Sequence, residues 1–200
     1  MLVQAYQRLG YDLVVLSPDE EKLLRRAGAT IPDNWITAGP RTGMVDLEKA
    51  GLRIGVVIFP LLDPPVDKPP GVLMRQVEDK ARRLRERSDL VVGISTWGGM
   101  AEKRFLKQTG PVLDILLGSG PGPGLAGGLF ADKRTFWTRP VSRGKTVSAV
   151  GLAEMPRPGE DWQWVKEKNI HLLHRPLDDA QPPDASMDAL FDNFPKDTHK

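Results

Sequence analysis

Three hydroxyl residues, Ser17, Ser95 and Thr96, directly follow or end short apolar runs that predict buried strands. Ligand crevices in open α/β sheets form at the carboxyl ends of parallel strands, where we expect these hydroxyls to lie. A serine or threonine nucleophile needs a general base within hydrogen-bond reach, and no histidine of the sequence is placed to serve as one. We therefore assign no catalytic residue and interpret the hydroxyls as lining a pocket, with Trp97 beside them either stacking on a ligand or packing in the core.

The histidines are the next candidates for chemistry, as metal ligands. His171-Leu-Leu-His174 would place both rings on one face of a helix but on opposite faces of a strand, which prevents shared chelation, and the segment is too short to decide between the two. No acidic partner is evident near the pair, so surface histidines are favoured over a metal site. His199 belongs to a polar tail that we expect to fray.

Gly122-Pro-Gly124-Leu-Ala-Gly127 matches the G-x-G-x-x-G pattern of dinucleotide-binding turns. Pro121 and Pro123 remove backbone N–H donors that a phosphate cradle needs, and the residues that follow resemble strands rather than a long helix. The glycine- and proline-rich segment from Gly118 to Gly128 is therefore interpreted as a remodelled loop.

Composition limits the classes of function that remain. The chain has 200 residues, a formal net charge of +2, 40% hydrophobic and 27% charged residues, which predicts one soluble domain over residues 1–194 and no nucleic-acid or membrane partner. The absence of cysteine excludes disulfides, zinc-thiolate sites and cysteine nucleophiles. No signal peptide is visible at the N-terminus, and residues 195–200 are predicted to be a disordered tail.

Helical and strand patterns alternate through the first part of the chain, which predicts an α/β fold with a mostly parallel sheet. Helices are predicted to begin near Val3, Ser17, Leu73 and Met100, and a last one covers residues 185–194. Strands are predicted over residues 12–16, 44–47, 51–59, 89–94, 113–117, 135–138, 146–153, 162–165 and 170–173. The consecutive strands at the end predict an antiparallel or mixed second sheet packed on the first.

The helix near Ser17 begins with a recognisable cap. Serine at the N-cap, Pro18 in the first turn and Glu20 three residues after the serine form a capping box. Asp19 and Glu20 are therefore explained as acids that the helix dipole favours at its N-terminus.

The order of these segments resembles a known family. Leu9–Glu20 is similar to a strand and turn written lGyDav-x-x-GNHE, Asp89–Gly98 to D-x-vi-x-L-SH-x-G, and Leu113–Gly122 to iDlIlGGHsH. Gly51–Phe59 and Arg143–Leu152 are similar to two further strands, G-x-k-vGviG and yGk-x-vg-x-l-x-l, so the likeness covers most of the chain to Leu152. These motifs are those of the calcineurin-like metallophosphoesterases, in the branch of 5′-nucleotidases and UDP-sugar hydrolases.

The resemblance implies an α/β/β/α sandwich of two mixed sheets, lacking the first strand of the family, which bears D-x-H. In the family, the asparagine and histidine of GNHE, the histidine of SH and both histidines of GHSH hold two divalent metals. The corresponding positions in this sequence are Pro18, Asp19, Thr96, Gly120 and Gly122. Of these residues, only Asp19 carries a carboxylate or imidazole of the kind that such a site uses.

The sequence resembles the family in its strands but lacks the family's metal ligands. This combination predicts a degenerate 5′-nucleotidase-like domain that is not a two-metal hydrolase, requires no cofactor, and acts as a binding or scaffold module. The candidate crevice is formed by Ser17, Pro18, Asp19, Glu20, Ser95, Thr96, Trp97, Gly118, Gly120 and Gly122. The alternative is a diverged phosphoesterase that hydrolyses a nucleotide or another phosphoester with a divalent metal, through a missing N-terminal segment or an altered metal site.

The expected partner is a small molecule or a protein of unknown identity. The resemblance suggests a periplasmic or secreted setting, because most relatives of this branch act outside the cytoplasm. The family's first strand lies centrally in the sheet, so the resemblance without this strand implies an exposed sheet edge. An exposed edge allows homo-oligomerisation.

Overall fold

The chain folds into two compact units. The structure, a computed structural model, describes residues 2–140, 146–157, 161–178, 181–182 and 184–191. The small unit contains Met1–Thr37 and Asp178–Lys200, and the large unit contains Ala38–Leu177. A single domain over residues 1–194 stays a prediction, and the predicted tail at 195–200 lies outside the described residues.

The small unit is a short α/β arrangement. Its elements are α1 (Leu2–Arg8), β1 (Val14–Leu16), α2 (Pro18–Arg26), β2 (Trp35–Thr37) and α5 (Ala185–Phe191). β1 and β2 pair in parallel, with Val14 beside Trp35. The core of this unit consists of Val3, Leu16, Leu24 and Trp35. The sequence did not predict β2, because its three residues are too few to show a period.

The large unit is built on a mixed six-stranded sheet with the strand order β3-β4-β5-β6-β8-β7. These strands are β3 (Gly43–Lys49), β4 (Leu52–Ile58), β5 (Leu90–Ser95), β6 (Ile115–Gly118), β7 (Leu125–Phe130) and β8 (Thr135–Arg139). β4, β5, β6 and β8 run parallel to one another, whereas the outer strands β3 and β7 are antiparallel to their neighbours. The predicted α/β class is therefore confirmed.

Two helices connect the parallel strands. α3 (Gly71–Arg85) joins β4 to β5 and buries the face formed by Val77, Ala81 and Leu84, while α4 (Gly99–Gln108) joins β5 to β6. Because the central strands are parallel, the last residues of β5, β6 and β8 lie at one edge of the sheet, which we call the carboxyl edge. The residues that precede these strands meet at the opposite, amino edge.

A separate antiparallel pair, β9 (Thr146–Leu152) and β10 (Ile170–Pro176), completes the large unit. Ile170 packs with Phe136 and Trp164 in a cluster of fully buried side chains. No helix among the described residues is both long and apolar enough to cross a membrane.

Two predicted segments differ in the structure. The segment Gly118–Gly128 is not entirely a loop, since β7 begins at Leu125. The glycines of β7 interrupt the alternation of side chains by which a strand is predicted. Gly127 lies where the register between β7 and β8 shifts. Residues 162–165 form no strand. Trp164 instead makes isolated hydrogen bonds, from its backbone N–H to the Lys133 carbonyl and from its indole N–H to the Asp114 carbonyl. The aromatic residues that predicted a strand here therefore pack against the large unit without forming one.

Candidate functional site

A groove opens at the carboxyl edge of the six-stranded sheet, with a volume of about 410 Å³. The β5–α4 connection lies on one side and the β6–β7 connection on the other, and residues 65–67 complete the wall. The lining residues are Pro65, Val66, Asp67, Trp97, Gly98, Gly99, Met100, Lys103, Pro121, Gly122, Pro123, Gly124, Trp137 and Arg139. Prolines, glycines and the exposed Met100 give this carboxyl-edge groove a mainly apolar character.

Arg139, the last residue of β8, holds the β6–β7 connection in place from beneath. The side chain is only 3% exposed, and its Nη1 donates to Glu102 Oε2 at 2.6 Å. The other four N–H groups donate to backbone carbonyls, which belong to Ser119, Gly120, Pro121 and Pro123 at 2.9, 2.9, 3.0 and 3.1 Å. A guanidinium has five N–H groups, so every donor of Arg139 has an acceptor within this network.

Glu102 is the anionic half of the network. It projects from α4, is fully buried, and accepts the Trp137 indole N–H on Oε2 at 3.0 Å as well as the Arg139 donor. Its Oε1 accepts the Ser119 backbone N–H at 3.2 Å. Buried ions are tolerated only when they are paired and hydrogen-bonded, and this pair meets both conditions.

Two glycines leave the space that this network needs. A Cβ on Gly118 would lie 2.1 Å from Glu102 Oε2, so any side chain there would displace the carboxylate. A Cβ on Gly120 would lie 2.2 Å from the Thr96 carbonyl oxygen, and its φ of +76° is in the left-handed region that favours glycine. Glycine at these two positions is therefore required by the packing of the loop around Arg139.

The hydroxyl residues at the end of β5 hold the loops together from the other side. Ser95 is buried, its Oγ accepts the Trp97 backbone N–H at 3.1 Å, and its carbonyl accepts the Ser119 N–H at 2.7 Å. Thr96 follows it and faces Gly120 through its carbonyl. The structure thus brings the predicted residues of the β5 and β6 loop ends together, with the hydroxyl of Ser95 occupied by a structural bond.

Trp97 packs in the core and does not stack on a ligand. Its ring makes edge contacts with Phe59 at 4.8 Å and Phe105 at 6.0 Å between centroids, and its indole N–H donates to the Pro60 carbonyl. The side chain is almost wholly buried, so it contributes only an edge to the wall of the groove.

The remaining predicted crevice residues, Ser17 to Glu20, belong to the small unit. The capping box is confirmed: Ser17 Oγ accepts the Glu20 N–H at 3.2 Å, and Glu20 Oε2 accepts the Ser17 N–H at 2.7 Å. Pro18 and Asp19 begin α2 directly after β1. These bonds give the serine and the glutamate a role in starting the helix.

His171 and His174 both lie on β10, three residues apart and therefore on opposite faces. His174 Nδ1 lies 2.8 Å from Ser148 Oγ, and His171 Nδ1 lies 3.3 Å from Glu167. The expectation that no acidic residue lies near the pair is wrong, because a turn brings Glu167 back to His171. Across the part of the chain that the structure describes, no three His, Asp or Glu side chains form a group that could hold a metal.

Glu102 and Arg139 are the site residues that sequence reasoning missed. A signal existed for each, since Glu102 precedes Phe105 and Leu106 by three and four residues and so occupies the apolar face of α4. Arg139 ends a strand whose other residues are uncharged and wholly buried. Each pattern thus indicates one charge that is buried and needs a partner, and the structure shows that the two residues are each other's partner.

Comparisons with known proteins leave the family open. No family model matches the sequence, and no curated protein matches it. Among solved structures, one described as a hypothetical protein from Thermus thermophilus is similar over 69% of this chain and 68% of its own, at 16% sequence identity and a TM-score of 0.41. A likeness at this level identifies neither a family nor an activity.

Proposed function

We propose that this protein is a metallophosphoesterase-like binding module that does not hydrolyse phosphoesters by a two-metal route, and that its ligand binds in the carboxyl-edge groove. The observation that carries the proposal is the Glu102–Arg139 network, which fills the space beneath the β6–β7 connection with a buried ion pair belonging to the protein. The family part of the proposal is supported by the sequence resemblance.

The residues at the positions of the metal ligands do not fit a two-metal centre. Gly120 and Gly122 stand where the resemblance places two histidines, and the carbonyl of Gly120 is bound to Arg139. The Gly120 carbonyl oxygen already accepts a hydrogen bond from this guanidinium, and a glycine has no side chain that could replace an imidazole ligand. Thr96 offers one hydroxyl, which is a poor substitute for an imidazole ligand.

The lining of the groove favours an apolar ligand with few polar contacts. Met100 is 62% exposed at the start of α4, and Val66 and Pro65 belong to the same lining. Two lining charges, on Asp67 and Lys103, are available to orient a ligand. The volume of about 410 Å³ is in the range of small-molecule sites, which are mostly apolar with a few polar groups.

Hydrolysis is tested on the purified protein with bis(p-nitrophenyl) phosphate and AMP, after incubation with Mn²⁺, Ni²⁺ or Zn²⁺, and with metal content measured by elemental analysis. We expect no metal-stimulated turnover and less than one ion per chain. Turnover that rises with Mn²⁺ and disappears with chelator would refute the proposal and support a diverged phosphoesterase.

Binding is tested with the fluorescent anionic probe 8-anilinonaphthalene-1-sulfonate, which reports exposed apolar surface. Met100→Glu places a like charge in the groove at a helix N-terminus, where an acid does not harm the helix. The matched control is Leu173→Glu on β10, since Leu173 is 61% exposed and outside the groove. We expect loss of probe binding for M100E alone, and equal binding by the two variants would contradict a ligand site in the groove.

A further inference from the structure

The small unit contains a cavity of about 180 Å³, bordered by α1, α2 and both of its strands. Aliphatic side chains supply most of the lining, among them Val14 and Leu16 of β1 and Leu23 of α2. Leu23 is 68% exposed, so solvent reaches part of this lining. The volume is below the roughly 300–1,000 Å³ of sites for larger molecules, so the cavity fits a small ligand or the head group of a longer one.

Two aromatic rings form a further part of the lining. Tyr6 of α1 and Trp35 of β2 both border the cavity, with ring centroids 5.6 Å apart and ring planes inclined at 68°. Tyr11 packs on Tyr6 at 5.6 Å between centroids and is not part of the lining. The face of an aromatic ring is electron-rich and attracts a cation within about 6 Å of its centroid. Because both rings border one small cavity, a cation bound there can lie against both of them.

The charge of the lining is negative. Within the part of the chain that the structure describes, Glu20 is the only charged residue that borders the cavity. Its Oε2 accepts the Ser17 backbone N–H at 2.7 Å in the capping box. A backbone N–H carries no net charge, so this bond does not offset the charge of the carboxylate. The cavity therefore repels an anion and attracts a cation.

We propose that this cavity binds a small organic cation with a quaternary ammonium head group, held against the Tyr6 and Trp35 rings and beside the Glu20 carboxylate. A quaternary ammonium group has no N–H donors, so an apolar aromatic lining leaves none of its groups without a hydrogen-bond partner. Its methyl groups fill apolar space, and aromatic rings are the usual partners of such ions in proteins. The carboxylate supplies the counter-charge. This site belongs to the small unit and does not depend on the function proposed for the carboxyl-edge groove.

The full chain is titrated with choline chloride and, separately, with 3,3-dimethylbutan-1-ol, which has the shape of choline but carbon in place of the charged nitrogen. Sodium chloride keeps the ionic strength constant. We expect a saturable upfield shift of the choline N-methyl proton signal, because protons above aromatic faces are shielded. The dissociation constant of choline should be at least about fivefold below that of the neutral alcohol. Glycerophosphocholine, titrated in the same way, shows whether the site prefers a free cation or the head group of a phosphodiester.

Variants separate the site from general surface charge. Glu20→Gln removes the charge but keeps an oxygen that accepts the Ser17 N–H, so the capping box remains, and the dissociation constant of choline should rise about fivefold. Glu48→Gln, an equal charge change at an exposed residue of β3, should leave it within about twofold. Tyr6→Leu should raise it about tenfold and reduce the upfield shift, whereas Tyr6→Phe, which keeps the ring, should stay within about threefold. If Tyr6→Leu does not fold, Glu20→Gln still provides the test.

Two results would overturn the proposal. One is a choline signal that does not shift upfield in a saturable manner, or a dissociation constant equal to that of the neutral alcohol, since the aromatic rings then hold no cation. The other is equal weakening by Glu20→Gln and Glu48→Gln, since that pattern indicates attraction by the overall charge of the protein rather than a site.

Discussion

Glu102→Gln tests whether the buried ion pair stabilises the large unit. Glutamine preserves the shape of the side chain but replaces one carboxylate oxygen by an NH₂ group. If that group takes the place of Oε2, it faces the donors of Arg139 and Trp137; if it takes the place of Oε1, it faces the Ser119 N–H. Either orientation sets donor against donor, and the buried guanidinium loses its counter-charge.

The expected cost follows from burial. Glu102 is 0% and Arg139 3% exposed, so water cannot replace the lost partner. Removing one partner of a buried pair costs about 3–5 kcal/mol, against roughly 0–1 kcal/mol for an exposed pair. The matched control is Asp46→Asn, which removes the partner of Arg87 at 2.9 Å in a pair whose side chains are 59% and 47% exposed.

The assay is urea unfolding at pH 7, followed by tryptophan fluorescence and far-UV circular dichroism. Trp137 donates directly to Glu102, so its emission reports this part of the large unit. Equal slopes of unfolding free energy against urea are required before midpoints are compared. The single variants Glu102→Leu and Arg139→Met are then compared with the double variant. The double variant should lose less free energy of unfolding than the sum of the two single losses, by about 1–3 kcal/mol, because neither ion then remains unpaired.

A cost below about 1 kcal/mol for Glu102→Gln, equal to that of Asp46→Asn, would refute this reasoning. Strict additivity of the two single changes would refute it as well, since uncoupled residues do not share a network.

Three further predictions concern single positions. Gly120→Ala should cost at least about 1–3 kcal/mol in urea unfolding, because a left-handed φ of +76° is combined with a Cβ placed 2.2 Å from the Thr96 carbonyl oxygen. Ser17→Ala should cost about 1 kcal/mol and speed amide exchange in the first turn of α2. Hydrogen bonds from the side chain and then the backbone of Arg53 lower the pKa of Asp89 from 3.8 to about 2, so its stabilising effect is present above pH 3.8 and is lost as the pH falls to about 2. Asp89→Asn should flatten that part of the stability profile in unfolding midpoints measured from about pH 2 to about pH 5.

Each of these predictions has a control. Gly110→Ala has a similar φ of +56° but nothing within 4 Å of the added Cβ, so the difference from Gly120→Ala isolates the clash. Equal costs would show that the Thr96 carbonyl moves freely. Ser17→Thr should retain the cap, and exchange as fast as in Ser17→Ala would count against it. An unchanged pH profile in Asp89→Asn would assign the acid sensitivity to other carboxyl groups.

The elements that the sequence predicted well are those whose signals are local. The helix α3, the strands β3 and β4, and the capping box at Ser17 each depend on residues that are close together in the sequence. The position of the β5 and β6 loop ends at one edge also followed from the alternation of strands and helices. β7 was missed because glycine suppresses its pattern, and residues 162–165 were predicted as a strand because aromatic residues imitate one.

The centre of the candidate site was beyond local reasoning. Glu102 and Arg139 lie 37 residues apart in the sequence, on different elements, and their pairing requires α4 and β8 to be placed first. The role of the loop glycines was partly visible, since they were predicted to replace side chains that bind ligands. That their carbonyls instead surround an arginine depends on backbone geometry, which no spacing rule encodes.

The bonds of Arg139 to four carbonyls have a mechanical consequence for the β6–β7 connection. Because the acceptors are spread along one short segment and share one planar cation, they cannot be released one at a time without leaving a buried charge poorly solvated. We therefore expect the whole β6–β7 connection either to open in one cooperative step or to remain closed. Its neighbouring amides, including Gly99, whose N–H donates to the Pro121 carbonyl, should exchange with deuterium in a single concerted event.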